Sequence, residues 1–315
     1  MKILQIIYSL GPGGAERLVV DLSNELAEQN QEVYLCVLRP VELENYGFYL
    51  NEVSKKVHFI NIKTLPGFKL KNIYYLYKTI ISIKPDVIHC HQGVIYYILP
   101  IVAVFPKLKI FHTIHTFAPT EAKNLIQKII KKYFYKTKIT PISISKQVSI
   151  SYQNFYHLNN DVVIYNGRKK NNHCINFEET EKFIHNLKSK EDTIIFLHVA
   201  RFSKIKNQEL LINVFKKLEN LSISFALLII GPGYDSEEGK QLKSIAGKNI
   251  YFLGEQKNVC SFFLCADAFC LSSIYEGLPI SLIEALAYGC VPVCTPVGGI
   301  VDIIEHSKTG FLSKS

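Results

Sequence analysis

The chain has 315 residues, of which 48% are hydrophobic, 12% aromatic and 20% charged. This is a globular composition, with length for one large domain or two ordinary ones. It excludes a disordered chain, a fibrous chain and a small disulfide scaffold. The longest dense apolar run, 94–105, contains a proline and is too short to span a bilayer.

The formal net charge of +9 lies entirely in the first half of the chain. Residues 1–168 contain 20 Lys and Arg against 11 Asp and Glu, whereas residues 169–315 contain 16 of each. The first half therefore has three classes of candidate partner: nucleic acid, an anionic membrane or a phosphorylated substrate. Charge alone does not choose among them.

The first ten residues carry one lysine and an apolar run, but no small-residue cleavage site follows. A glycine-rich loop comes next, so we interpret the run as a first buried strand rather than a signal peptide. The eight cysteines lie mostly within apolar runs, and no Cys-x-x-Cys pair occurs. We therefore expect buried reduced thiols, no metal site and a cytoplasmic protein.

Apolar runs of strand length alternate with helical patterns along the chain. The runs are continuous, as in parallel strands that are covered on both faces. In the first half the predicted strands are 3–8, 32–38, 57–60, 87–90, 110–114 and 162–164. In the second half they are 193–200, 224–230, 250–253, 268–271 and 291–294, with helices over 207–218, 237–246 and 279–288.

The polar stretch 169–192 interrupts this pattern, so we predict a first domain over 1–168, a connection over 169–192 and a second domain over 193–315. Two successive β/α series predict an α/β protein with two facing, Rossmann-like, doubly wound domains. Ligands of such sheets bind beyond the carboxyl ends of the strands. A cleft between the domains is therefore the expected active site.

A glycine-rich loop, Gly11-Pro-Gly-Gly-Ala-Glu-Arg17, follows the first predicted strand. Its glycines could let backbone N–H groups approach a phosphate or a sugar, and the alternative is an ordinary tight turn. Glu16 stands where a dinucleotide site needs its third glycine, which argues against such a site. No Gly-Lys-Ser/Thr sequence occurs, which excludes a P-loop ATPase.

Two segments of the second half carry charged side chains suited to binding. The loop Arg201-Phe-Ser-Lys-Ile-Lys206 follows a strand, and its cations could hold a diphosphate; an exposed basic loop is the alternative. Glu276 precedes, and Glu284 lies within, the helix predicted over 279–288. Carboxylates accept hydrogen bonds from sugar hydroxyls, although ordinary surface glutamates would give the same spacing.

These motifs together resemble family 4 of the retaining glycosyltransferases, whose GT-B fold has two facing Rossmann-like domains. The resemblance runs from residue 2 to residue 312. Its most specific part is the Glu-Gly-Leu-Pro segment from Glu276, with a second glutamate at position 284. The residues that carry it are Gly13, Gly14, Ala15, Glu16, His115, Asn166, Gly167, Arg201, Lys206, Glu276 and Glu284.

The resemblance implies catalytic roles for Glu276, His115, Arg201 and Lys206. It implies donor binding by Gly13, Gly14, Arg201, Lys206, Gly231, Gly254, Glu276 and Glu284. In this scheme Arg201 and Lys206 hold the donor diphosphate. Glu276 contacts the transferred sugar, Glu284 contacts the nucleotide ribose, and His115 sits against the sugar from the first domain.

The implied reaction moves a hexose from a nucleotide sugar, expected to be a UDP-sugar, to a glycan or lipid-linked saccharide, with retention at the anomeric carbon. This is a reaction of bacterial-type surface polysaccharide synthesis. Negative charge develops on the departing diphosphate, and Arg201 and Lys206 would stabilise it without a metal or cofactor. Glu276 is not assigned as a nucleophile, because this leaving group needs charge neutralisation more than protonation.

The sequence departs from the family pattern at two places. Arg168-Lys169 follow Asn166-Gly167, where the family usually has a small residue and an aspartate. The family usually also continues with further helices after the point reached by residue 315, so we expect a fragment or a shortened member. The alternative function is a non-catalytic GT-B remnant that binds a membrane or a partner transferase.

Residues 123–138 contain six lysines among seven aliphatic and aromatic residues. This pattern is typical of a helix on an anionic membrane surface, and equally of an ordinary core-packing helix with a solvated face. A lipid-linked acceptor at the inner leaflet would explain why positive charge concentrates in the acceptor-side domain. We therefore expect a peripheral position at that surface. Nucleic-acid binding is disfavoured, since no recognisable module and no tryptophan occur.

Overall fold

The computed structural model describes residues 1–43, 45–102, 104–105, 107–122, 124–169, 174, 176–221 and 223–314. The chain divides into two compact units, Met1–Gly167 and Arg168–Ser315. Each unit is an α/β structure built on one parallel sheet.

The first unit has a sheet of seven parallel strands. They are β1 Lys2–Ile7, β2 Glu32–Val37, β3 His58–Asn61, β4 Val87–His91, β5 Lys109–Ile114, β6 Ile139–Ser143 and β7 Val162–Val163. Their order in the sheet is β3-β2-β1-β4-β5-β6-β7. The chain leaves β1 and β4 toward opposite edges of the sheet, so their carboxyl ends flank the crevice at which doubly wound sheets bind ligands.

In the described part of this unit, six helices connect these strands. They are α1 Gly14–Glu28, α2 Lys71–Ile83, α3 Ile95–Val102, α4 Ala118–Glu121, α5 Leu125–Thr137 and α6 Lys146–Tyr156. Short 3-10 turns lie at Leu50–Glu52 and Gln92–Val94. Helix α1 is amphipathic and buries one apolar face. Val19, Val20 and Ala27 share this face and pack against the apolar side chains of β2.

The second unit has a sheet of six parallel strands. They are β8 Ile194–Val199, β9 Phe225–Ile230, β10 Ile250–Gly254, β11 Ala268–Leu271, β12 Val291–Cys294 and β13 Phe311–Leu312, in the order β10-β9-β8-β11-β12-β13. The helices are α7 Phe177–Leu187, α8 Gln208–Glu219, α9 Glu237–Ser244, α10 Val259–Cys265, α11 Ile280–Tyr288 and α12 Ile300–Ile303. Here β8 and β11 are neighbours at the centre of the sheet, and the strands that follow each of them lie toward opposite edges.

Both faces of the second sheet are covered, as the continuous apolar runs predict. Along β9, Ala226 and Leu228 pack into one buried cluster, while Leu227 and Ile229 pack into another. Alternate residues of a strand point to opposite faces, so the two clusters are the cores of the two faces.

Every strand predicted from the sequence is confirmed, with each boundary shifted by at most one residue. The helix predicted over 279–288 is confirmed as α11: Pro279 precedes its first residue, and Gly289 ends it in the left-handed region at φ 86°. Strands β6 and β13 were not predicted. β6 contains Pro141 and two polar residues, and β13 has only two residues, so neither gives a clear apolar run.

The interpretation of 169–192 as a connection was wrong for residues 177–187. This segment forms α7, and its Ile184 is buried in a core cluster of the second unit, with Leu187 packed against that cluster. The apolar positions of α7 are sparse among charged residues, which is why the sequence pattern did not show a helix. Residues 170–173 and 175 of the predicted connection lie outside the described residues.

The expectation of buried reduced thiols fits five cysteines, does not fit the half-buried Cys265, and was wrong for two others. Cys174 and Cys260 form a disulfide, with their Cα atoms 5.8 Å apart. Cys174 belongs to the polar stretch rather than to an apolar run, so the argument from buried runs does not apply to it. Among the free thiols five are buried, and burial raises the pKa of Cys36 to about 12.

Within the described residues, no group of three or more His, Cys, Asp or Glu side chains is arranged to hold a metal ion. No helix of this part of the chain combines the length and the apolar character that crossing a membrane requires.

A substitution at Gly298 tests how closely the backbone packs around Glu276 in the second unit. Its φ is +55°, and an added Cβ would collide with the carbonyl oxygen of Glu276. We expect Gly298→Ala to lower the free energy of unfolding by about 3 kcal/mol or more, because left-handed strain and a backbone collision add. Gly289→Ala is the matched control, since φ is +86° but no atom lies within 4 Å; it should cost about 1 kcal/mol. Equal losses in urea unfolding would contradict this.

Candidate functional site

The glycine-rich loop lies where β1 gives way to α1, at the carboxyl edge of the first sheet. The N–H of Gly13 donates to the carbonyl of Gly11 at 2.8 Å, and Gly14 begins α1. A Cβ on Gly13 would collide with the Glu16 carboxylate, which accepts a hydrogen bond from Gln92 Nε2 at 2.9 Å. The loop from β1 and the turn after β4 are therefore linked at the predicted ligand crevice of this unit.

His115 lies directly after β5; it is half-buried and begins a chain of hydrogen-bonded polar side chains. Its Nε2 is 3.1 Å from Nδ1 of His91, whose Nε2 is 2.9 Å from the amide oxygen of Gln5. An amide oxygen can only accept, so His91 carries its proton on Nε2 and accepts on Nδ1 from Nε2–H of His115. The remaining nitrogen of His115, Nδ1, is then a hydrogen-bond acceptor.

A buried ion pair fixes the loop that follows His115. Glu121 Oε1 accepts from the backbone N–H of His115 at 3.3 Å, and Glu121 Oε2 lies 3.2 Å from Lys131 Nζ. The lysine is only 1% exposed. His112, three residues before His115, bonds to Tyr135 through Nδ1 and to the carbonyl of Gln92 through Nε2, so it is a core residue.

Burial keeps the histidines of this cluster uncharged. Removal from water lowers the pKa of His89, His112 and His115 to about 3 each, and lowers that of His91 well below its usual range. The neighbouring histidines add to the effect at His91. At neutral pH this edge of the first sheet therefore presents neutral imidazoles, which can form hydrogen bonds to a sugar without adding charge.

In the second unit, the loops that follow β8 and β11 meet at the carboxyl edge of the sheet. Lys206 Nζ lies 2.6 Å from Oε1 of Glu276, and Ser273 Oγ donates to the same oxygen at 2.6 Å. Glu276 is 8% exposed. Ser272 Oγ donates to the carbonyls of Lys206 and Asn207, each at 2.9 Å, which ties the two loops together.

Glu284, on α11, also has a cationic partner. Nε of Arg168 donates to its Oε1 at 2.7 Å, and both side chains are largely buried. The position at which the sequence departs from the family pattern thus supplies a counter-charge to one of the two motif glutamates. Both motif glutamates therefore form an ion pair, Glu276 with Lys206 and Glu284 with Arg168.

Two glycines shape the neighbouring loops of the same edge. Gly231 follows β9 with φ +145°, and a Cβ there would collide with the carbonyl of Ala200 at the end of β8. Its N–H donates to the carbonyl of Gly254, at the end of β10, at 2.8 Å. Arg201 follows Ala200 and is exposed, so its guanidinium faces solvent beside these loops.

The structure thus collects the predicted site residues at one edge of each sheet. Gly13, Gly14 and His115 lie at the carboxyl edge of the first sheet, and Arg201, Lys206, Gly231, Gly254 and Glu276 lie at that of the second. Glu284 lies in α11, beyond this edge.

Sequence reasoning missed the partners that fix these groups, namely Gln5, Glu121, Lys131, Arg168 and Ser273. Of these partners, only Ser273 lies within three residues of the group that it holds, Glu276.

The two parallel sheets match the GT-B fold, and a solved structure of this fold superposes on the chain. The structure of Alr3699/HepE from Anabaena, in complex with UDP and glucose, superposes with a TM-score of 0.80 at 17% identity, over 100% of this chain and 86% of that one. Residues 12–169 match Glycosyltransferase Family 4, and residues 179–315 match Glycosyl transferases group 1. The chain belongs to glycosyltransferase family 4.

Two relatives are bacterial glycosyltransferases. The capsular polysaccharide biosynthesis glycosyltransferase CapH of Staphylococcus aureus is 27% identical over 98% of this chain and 85% of its own length. The UDP-Gal:alpha-D-GlcNAc-diphosphoundecaprenol alpha-1,3-galactosyltransferase of Escherichia coli is 25% identical over 77% of this chain and 66% of its own length.

The neutral histidines predict a loss of stability in mild acid. Their folded pKa values of about 3 lie below the unfolded value of about 6.5, so the unfolded chain binds more protons between these pH values. The free energy of unfolding should be flat above pH 7 and fall by about 1.4 kcal/mol per histidine per pH unit below 6.5. Urea unfolding between pH 7.5 and 5.5 measures this, with the exposed His157→Gln variant as control. A constant free energy would contradict it.

The pair of Arg168 and Glu284 predicts non-additive stability effects. Arg168→Gln leaves a largely buried carboxylate without its cation, so it should lower the free energy of unfolding by about 1–3 kcal/mol. Glu284→Gln alone should have a similar effect, and the double variant should lose less than the sum, with a coupling of about 1 kcal/mol. The check is a double-mutant cycle in urea; strict additivity would show that the two side chains do not interact.

Proposed function

We propose that this protein is a retaining glycosyltransferase that moves a hexose from a UDP-sugar to a glycan or lipid-linked saccharide acceptor. The observation that carries the proposal is the edge of the second sheet. There the exposed Arg201 and the ion pair of Lys206 with Glu276 lie at the switch point between β8 and β11. Membership of family 4 and the named activities of the relatives support the same reaction class.

The second unit is proposed to bind the donor. Arg201 presents a planar guanidinium to the diphosphate, and Lys206 adds a point charge. Gly231 and Gly254 leave open backbone beside the nucleotide. Glu284 accepts hydrogen bonds from the ribose through the carboxylate oxygen that Arg168 does not occupy.

The proposed chemistry breaks the bond between the anomeric carbon and the diphosphate oxygen. The electron pair stays on the diphosphate, and the sugar passes through an oxocarbenium-like transition state. The acceptor hydroxyl forms the new bond on the same face and gives its proton to the leaving diphosphate. Arg201 and Lys206 stabilise the developing charge, so the proposed reaction uses protein cations and assigns no role to a metal.

Lys206 is proposed to interact with two anionic groups, Glu276 and the donor diphosphate. Without donor, Lys206 neutralises the buried carboxylate of Glu276. When a diphosphate binds, the ammonium can be shared with it, while Ser273 keeps its hydrogen bond to the carboxylate. Glu276 is then held in place to accept hydrogen bonds from the hydroxyls of the transferred sugar.

The first unit is proposed to serve the acceptor. Gly13 and Gly14 leave open backbone after β1 for a phosphate or for the acceptor, as the family resemblance implies, and the neutral His115 offers Nδ1 as an acceptor for a sugar hydroxyl. A neutral imidazole suits this task, because its unprotonated Nδ1 can accept a hydrogen bond from a hydroxyl, which an imidazolium cannot do.

Substitutions in the second unit test the proposal. Glu276→Ala and Arg201→Ala should each reduce the hydrolysis or transfer of a UDP-sugar by about a hundredfold or more, as expected for losing a group that stabilises developing charge. Lys204→Ala is the matched control: Lys204 lies in the same loop, its side chain is 87% exposed, and its rate should stay at the wild-type value.

Release of UDP, followed in a coupled assay across a panel of UDP-sugars, supplies the rates. Wild-type rates in both the Glu276→Ala and Arg201→Ala variants would refute the assignment of the site. The absence of UDP binding in a calorimetric titration of the wild-type protein would refute the transferase function itself.

A further inference from the structure

Helix α5 has an inverted distribution of side chains. Its two fully buried residues are Lys131 and Tyr135. Its large exposed apolar residues, between 40% and 69% accessible, are Leu125, Ile126, Ile129, Ile130 and Tyr133. At 100° per residue these five positions form one continuous arc, so the helix presents an apolar face to the outside, hereafter the apolar face of α5.

The buried side of α5 is fixed by polar interactions. Lys131 Nζ bonds to Oε2 and to the carbonyl oxygen of Glu121, both at 3.2 Å, and Tyr135 bonds to Nδ1 of His112 at 2.7 Å. Rotating the helix to bury its apolar face would break this ion pair and leave Glu121 uncompensated. The outward orientation of the apolar face is therefore built into the fold.

A row of lysines runs along one flank of the apolar face. Lys128, Lys132 and Lys136 follow one another at intervals of four residues. At 100° per residue Lys128 and Lys132 lie between the buried side and the apolar arc, and Lys136 lies inside the edge of that arc. Lys138, at the end of the helix, is exposed. In the described part of the chain, Lys131 is the one residue of α5 with an ion pair. Apolar residues edged by lysines match the boundary between acyl chains and anionic headgroups.

The same combination recurs on the neighbouring helices. Tyr96 of α3 bonds to Gln127 of α5, and α3 packs beside α2. An apolar pocket of about 390 Å³ is lined by Leu70, Ile73, Tyr74, Tyr77, Pro100, Ile101 and Val104. Lys78 Nζ lies 4.8 Å from the ring of Tyr74 at this pocket. Exposed apolar groups beside a lysine thus occur at α2 and α3 as well as at α5.

We propose that the apolar face of α5 is a docking surface for an anionic lipid bilayer. Its apolar side chains enter the region between headgroups and acyl chains, while Lys128, Lys132 and Lys136 contact lipid phosphates. A second copy of the chain is a poorer occupant, because it would bring two rows of lysines together in a domain that already carries all the excess positive charge. Anionic lipid neutralises the same lysines.

The position of α5 connects docking to the proposed acceptor side. Glu121, which Lys131 holds from α5, accepts a hydrogen bond from the backbone of His115. The interpretation that the bilayer supplies a lipid-linked acceptor rests on the proposed function. The docking itself does not rest on it, so the two can fail separately.

Vesicle co-sedimentation with the full chain tests the docking surface. We expect binding to vesicles of phosphatidylcholine mixed with phosphatidylglycerol, weaker binding as salt rises, and little binding to phosphatidylcholine alone. The double variants Ile126→Ser/Ile129→Ser and Lys132→Glu/Lys136→Glu should each lower the partition coefficient by at least about tenfold. The control Leu221→Ser/Ile223→Ser removes exposed apolar side chains from the second unit and should bind as the wild type does.

Three results would overturn the proposal. One is the absence of binding to the anionic vesicles, and another is equal binding by all variants. The third is light scattering that shows a wild-type dimer which Ile126→Ser/Ile129→Ser converts to monomer, because α5 would then bind a second copy. Unchanged urea midpoints show that the variants are folded.

UDP-sugar hydrolysis in the same samples separates the two proposals. Hydrolysis without vesicle binding refutes the docking surface alone, whereas vesicle binding without hydrolysis refutes the transferase function alone.

Discussion

The ion pair of Lys206 with Glu276 is the interaction on which the candidate site of the second unit depends. A carboxylate that is 8% exposed is costly unless a cation and hydrogen-bond donors compensate it, and here Lys206 and Ser273 do so at 2.6 Å each. Because the partners come from the loops after β8 and β11, the pair fixes the two loops that flank the switch point of the sheet. Gly298 allows the backbone around Glu276 to pack closely.

The first unit also contains a buried ion pair, and this pair positions a histidine. Lys131 and Glu121 form a buried pair that holds the backbone next to His115, and a chain of neutral side chains then orients the imidazole through His91. The polar side of α5 is thereby turned inward, which leaves its apolar face outward. One buried ion pair thus accounts both for the placement of a candidate acceptor-side histidine and for a surface suited to lipid.

Much of the fold followed from the sequence, because continuous apolar runs separated by helical patterns leave few alternatives to doubly wound sheets. The missed elements had weak local patterns: β6 contains Pro141, and α7 has few apolar residues. The partners in the site were harder to predict, because Arg168 and Glu284 are 116 residues apart. For α5, helical periodicity showed two faces but could not say which is buried, since that choice depends on Glu121 and His112.

We propose that the carboxyl edge of the second sheet binds a UDP-sugar for transfer with retention. This is tested by the anomeric configuration of the sugar released when the protein hydrolyses members of a panel of UDP-α-hexoses, followed by proton NMR before mutarotation. At least one donor should be hydrolysed, and the α-anomer should appear first. The β-anomer as first product, or no hydrolysis with any UDP-sugar of the panel, would contradict it.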